Sequence, residues 1–140
     1  MKHIHFDVKS DGFYGAYWEC KGGSDCTVIA MLGDDPEDHM ARSAVKWLLR
    51  LGVNVLTMSP AKKDYSHHNY PLECIEKAIA WLKSHGSTKI GIAGASTTGT
   101  LALTAASIFD DISLTVAMTP SDFVWQGFMQ GKKDGCKEWP

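Results

Sequence analysis

Apolar and polar positions alternate at the start of the chain. Ile4, Phe6 and Val8 fall on one side of residues 3–8, and an aromatic run occupies 13–19 beyond Ser10-Asp11-Gly12. Period-two alternation is the pattern of a half-buried strand, and two such runs around an Asp-Gly turn predict an antiparallel hairpin. The pattern then changes. Residues 27–32 are almost continuously apolar, as expected of a strand covered on both faces in a parallel sheet. Residues 38–51 carry Met40, Ala44, Leu48 and Leu51 at helical spacing, with Gly52 as the stop. A strand at 53–58 leads through a polar loop, 61–70, to a helix opened by Pro71 with Leu72, Ile75, Ile79 and Leu82 as its buried stripe. A strand at 89–93, a helix at 97–109 and a last strand at 112–118 complete the regular part.

This order predicts a three-layer α/β/α fold: an N-terminal antiparallel hairpin, then a parallel sheet with right-handed crossovers. In such sheets chemistry sits at the carboxyl ends of the strands. Here those ends are Gly33-Asp34-Asp35, Ser59-Pro60, Ser96, and residues 119–122.

A length of 140 residues is one domain, and a net charge of −2 without a basic stripe argues against nucleic acid as a partner. No apolar run reaches the length of a membrane span, and the first residues lack the apolar core of a signal peptide, so a cytoplasmic location is expected. Cys20, Cys26, Cys74 and Cys136 form no C-x-x-C pair and read as reduced thiols. His3 and His5 share a strand face with no third ligand beside them, so they read as solvated, and neither a metal nor a cofactor is expected. Residues 131–140 are polar and aperiodic, like the start of a lid or insertion, or a tail.

One stretch carries chemistry. In Ile90 to Thr100 an apolar run ends in Gly94-Ala95-Ser96-Thr97-Thr98-Gly99 and a helical run follows at once. A strand that turns sharply into a helix with serine at the corner holds up a hydroxyl as a nucleophile, and it needs small neighbours. Gly94 and Ala95 supply them; position 98, where the pattern calls for glycine, is Thr98, with Gly99 one place later. Two plainer readings compete. Ser96 is also a good helix cap, and the glycine-rich turn 91–97 is also a possible phosphate cradle, although it lacks the lysine of a P-loop and the glycine spacing of a dinucleotide site.

Hairpin, strand ending in a glycine loop, helix, strand, helix and Gly-Ala-Ser elbow, with Ser-Asp-Phe-Val-Trp-Gln-Gly at 121–127, resemble the first two thirds of an α/β-hydrolase. Within that superfamily the pattern is similar to the branch of acyl-CoA thioesterases and bile acid-CoA:amino acid N-acyltransferases, with dienelactone hydrolases more distant. The resemblance covers about residues 1–130. It implies that Ser96 is the nucleophile, that the N–H of Thr97 is one oxyanion donor, and that Asp34 supplies the second, with Gly33 as its hinge and Asp35 beside it in the binding loop. The implied substrate is a small acyl thioester or ester.

In this family the order is serine, acid, histidine. No histidine follows Ser96, the last being His85. Asp110, Asp111, Asp122 and Asp134 are available acids, but a carboxylate does not replace the imidazole that takes the serine proton. His67 and His68, in the loop at the same sheet edge, are the alternative base. The chain thus reads as a hydrolase domain truncated at its C-terminal side, weak or inactive alone. Strand 112–118 then becomes an apolar, uncharged edge, which predicts a homo-oligomer paired through it. A scaffold role through that edge, or through the aromatic hairpin at Phe13, Tyr14, Tyr17 and Trp18, is the alternative.

Overall fold

The computed structural model describes residues 3–59 and 70–122. Within them β1 (Ile4–Phe6), α1 (Val8–Asp11) and β2 (Gly15–Trp18) precede β3 (Cys26–Met31), α2 (His39–Arg50) and β4 (Asn54–Met58). Then come α3 (Glu73–Ser84), β5 (Lys89–Ala95), α4 (Thr97–Ile108) and β6 (Ile112–Met118). The six strands form one sheet in the order β1-β2-β4-β3-β5-β6. β1 and β2 are antiparallel to their neighbours, whereas β4, β3, β5 and β6 run parallel.

The two faces of the sheet bury separate clusters. Ile29, Leu56, Ile90 and Ile92 pack under α3 and α4, through Ile75, Ile79, Leu82, Ala102 and Ala105. Ala30, Val55, Ala16 and Trp18 pack under α2, through Val45 and Leu48. Adjacent residues of β3, Ile29 and Ala30, therefore serve opposite cores and are both fully buried, which is why its sequence shows no alternation. The result is the three-layer arrangement expected.

Three details differ from the sequence reading. The hairpin is not closed by a tight Asp-Gly turn. Asp7 accepts from the Lys9 N–H and starts a single helical turn, which Gly12 ends at φ 80. That turn takes Val8 off the strand face. The buried stripe of α2 is also rotated: Ala41, Val45 and Leu48 face the sheet, while Met40 and Leu51 are each 62% exposed. The small Ala41 and branched Val45 allow the helix to approach the sheet, which a stripe led by Met40 would not. Finally, the histidine face of β1 is engaged as well as wet. His3 Nε2 lies 2.5 Å from Glu37 Oε1 and His5 Nδ1 lies 3.1 Å from Glu37 Oε2.

Cys20 and Cys26 are free thiols and Cys74 is buried; Cys136 and residues 131–140 lie outside the described residues. Among the described residues no group of three His, Cys, Asp or Glu side chains is placed to hold a metal, and no helix is long and apolar enough to cross a membrane. β6 has β5 as its one strand neighbour among the described residues. It carries no charged side chain, and Leu114, Val116 and Met118 stand 60%, 46% and 44% exposed.

Candidate serine site

β5 runs through Ala95, α4 begins at Thr97, and Ser96 is the single residue between them. Its backbone is at φ 54, ψ −121, a region that a residue with a Cβ enters only when its surroundings hold it there. They do. The Ser96 N–H donates to Met118 O (2.9 Å), and the Thr100 N–H donates to Ser96 O (3.1 Å). The side chain is exposed and makes no capping hydrogen bond to the helix it precedes. Serine at a helix start normally caps, so the corner turns this hydroxyl away from its ordinary structural work.

The glycines show how tightly the corner is folded. A Cβ on Gly94 would lie 2.1 Å from Thr98 O and 2.4 Å from its carbonyl carbon, and one on Gly99 would lie 3.0 Å from Met118 O. The close approach of strand and helix thus falls at 94 and 99, and Thr98 is accommodated. Its buried hydroxyl accepts from the Ala95 N–H (3.0 Å) and stands 2.6 Å from Met31 O and 2.8 Å from Ala95 O, either of which can take its proton. The same bonds argue against a phosphate cradle, because the N–H groups of Ala95 and Ser96 are already engaged.

Gly94 pairs with Met31 across the β5–β3 ladder, so the loop after β3 stands beside the elbow. Its geometry is dominated by Asp38, the cap of α2. One carboxylate oxygen accepts from Ala41 N (2.8 Å); the other accepts from Asp34 N (2.7 Å) and Asp35 N (3.2 Å). Gly33 adopts φ 96, and a Cβ there would meet the Asp38 oxygens at 2.4 and 2.6 Å. Burial alone would push the Asp38 carboxyl up, but the backbone N–H groups of Ala41, Asp34, Asp35 and Met40 outweigh it and hold the carboxyl below its ordinary value. Asp35 is fixed too, accepting from Tyr14 O–H (3.1 Å) and Glu37 N–H (2.9 Å). Burial, then the Asp35 carboxylate, raise the Tyr14 hydroxyl above its ordinary value. Ser59, at the end of β4, donates to Gly33 O (3.3 Å).

Ser96, Gly33, Asp34 and Asp35 are therefore brought to one edge of the sheet, with the Thr97 N–H at the first turn of α4. The Asp34 N–H points at Asp38, a residue the motif reading did not single out, although an aspartate just ahead of an apolar-periodic run is a helix-start signal. Of the acids, Asp111 pairs with Lys83 at 2.5 Å beside the start of β6, at the opposite edge, and Asp110 precedes it. Asp122 follows Ser121, whose N–H donates to Thr100 Oγ1 (2.9 Å) in the first turn of α4. His85 closes α3, its ring stacked on Trp81 at 3.7 Å. His67, His68 and Asp134 lie outside the described residues.

Solved structures with this architecture are known. An esterase from Pyrococcus furiosus superposes with a TM-score of 0.64 at 25% identity, over 85% of this chain and 48% of that one. The α/β hydrolase GrgF from Penicillium sp. sh18 gives 0.66 at 17% identity, over 85% of this chain and 45% of that one. Est1E from Butyrivibrio proteoclasticus gives 0.63 at 21% identity, over 86% and 51%. This chain has the α/β-hydrolase fold. It spans about half the length of these α/β-hydrolase-like structures. Residues 70–138 match the family described as BAAT / acyl-CoA thioester hydrolase C terminal, a stretch that contains Ser96 and the turn around it. No curated protein matches it.

Proposed function

We propose that this chain is the nucleophile-bearing part of a serine acyl hydrolase or acyltransferase acting on acyl thioesters or esters, acyl-CoA being the substrate class. The observation that carries the reading is Ser96: exposed, at positive φ, and making no capping bond. Its Oγ attacks the acyl carbon; the C–S or C–O bond then breaks, the leaving group takes a proton, and water or an amine accepts the acyl group. The Thr97 N–H and, once available, the Asp34 N–H face the negative oxygen that forms. Each such donor contributes about 3 kcal/mol to transition-state binding, and the positive end of the twelve-residue α4 adds to it. The chemistry calls for no cofactor. With no histidine after Ser96, the hydroxyl lacks the base that normally activates it, and slow acylation with little turnover is expected of the chain alone. Incubation with a fluorophosphonate followed by peptide mass spectrometry tests this: the label is expected on Ser96 and absent from Ser96→Ala. Label elsewhere, or none in any variant, overturns it.

The β6 edge favours a second, compatible role, self-association. Seven uncharged residues with three large apolar side chains exposed are a template for pairing. Size-exclusion chromatography with light scattering is expected to show a dimer or larger species that Val116→Lys shifts to monomer. A wild-type monomer at all concentrations removes this role.

A further inference from the structure

The loop that should offer the second oxyanion donor already holds an anion, and it is one of the chain's own. We propose that the Asp38 carboxylate occupies the Asp34 N–H in the resting protein and competes there with the oxyanion of the acyl intermediate, so that Asp38 sets whether the second donor is available. The inference rests on the Ser96 reading. Three observations carry it. The Asp34 N–H to Asp38 Oδ2 bond, at 2.7 Å, is shorter than those from Ala41 N (2.8 Å) and Asp35 N (3.2 Å). Bonds from N–H to an ionised acceptor are about twice as strong as neutral ones. Gly33 at φ 96 packs against both carboxylate oxygens, so loop and carboxylate are seated as one unit.

Charge works in the same direction. Asp34, Asp35 and Glu37 surround the loop, and the nearby cation Arg42 is directed to Glu37, through Nε to its carbonyl (2.6 Å) and Nη2 to its carboxylate (3.6 Å). Among the described residues Asp38 forms no ion pair. An oxyanion at the Asp34 N–H would therefore meet the Asp38 carboxylate and a donor already in use. Asp38 acts through the loop, so it is a positioning residue and not a catalytic one.

The experiment compares the rate of fluorophosphonate labelling at Ser96 in wild type, Asp38→Asn and Asp38→Ser. Both substitutions keep a residue type that caps helices, and both remove the charge. The variants are expected to label about tenfold faster or more, since one donor is worth at least that in acylation. A second readout follows the backbone amide resonances of Asp34 and Ala41. Labelling the wild type is expected to shift the Asp34 amide as it leaves Asp38 for the phosphonyl oxygen, while Ala41 stays in place. If wild type labels and the variants are no faster, the proposal fails and the Ser96 reading stands. If the variants label and wild type does not, the proposal holds in its strongest form. If none labels, the Ser96 reading fails and the proposal with it. Should the variants not fold, an Asp34 amide unmoved on labelling wild type overturns the proposal, and a shifted one supports it.

Discussion

Helices α2 and α4 begin at the same edge of the sheet, behind the neighbouring strands β3 and β5, and they begin in opposite ways. α2 starts at Asp38, in extended backbone at φ −69, ψ 178, with its carboxylate turned onto Ala41 N–H. α4 starts at Ser96, at φ 54, with its hydroxyl turned off the helix. Aspartate and serine are equally good caps. The backbone dihedral, not the residue type, decides whether a polar side chain closes a helix or is held out from it. One start is satisfied by its own side chain; the other is tied to β6 through Met118 O, and its side chain stays exposed.

The sharpest way to break this contrast is at Gly94. A methyl group there would meet the carbonyl of Thr98 at 2.1 Å, and backbone cannot step aside as a flexible side chain can. Gly94→Ala is expected to cost about 3 kcal/mol, the upper part of the range for overpacking, read as a lower urea midpoint at unchanged slope. A loss under about 0.5 kcal/mol would mean that the corner relaxes freely and holds no strain.

A smaller effect is expected at Thr98. Thr98→Val keeps the shape but leaves Ala95 N–H and Met31 O without their buried partner. The expected cost is about 2 kcal/mol, measured the same way, with fluorophosphonate labelling slowed because the elbow loses a tie to β3.

The smallest effect sharpens the α2 side. Asp38→Ala removes a cap worth about 1 kcal/mol at neutral pH. The folded carboxyl lies below its ordinary value, so its contribution is fully present above the unfolded pKa of about 3.9 and is lost as pH falls through the folded value. Thermal melts of the two proteins are therefore expected to converge on acidification below about pH 4. A gap that stays constant down to about pH 2 would mean that the ionised carboxylate is not what caps the helix.

The serine corner was legible because everything it needs is local: an apolar run, small residues before the serine, and a helical run directly after it. The two buried faces of β3 were legible for the same reason. The orientation of α2 was not, since Met40, Ala44, Leu48 and Leu51 form as good a periodic stripe as Ala41, Val45 and Leu48, and periodicity does not say which one meets a sheet. Nor was α1, where one aspartate cap outweighs a strand-like alternation. The accommodation of Thr98 depends on Met31, 67 positions away, and the grip of Asp38 on Asp34 depends on the left-handed turn at Gly33; neither leaves a trace in spacing. Glu37, gathering His3, His5 and Arg42, was equally hidden, because the N-terminal histidines reach it only in the fold.

The bond from Ser96 N–H to Met118 O moors the serine corner to β6, which ends the sheet among the described residues. Fraying of that strand would release the backbone of the serine. The pairing of β6 with β5 and the hold on Ser96 are thus two readings of one equilibrium.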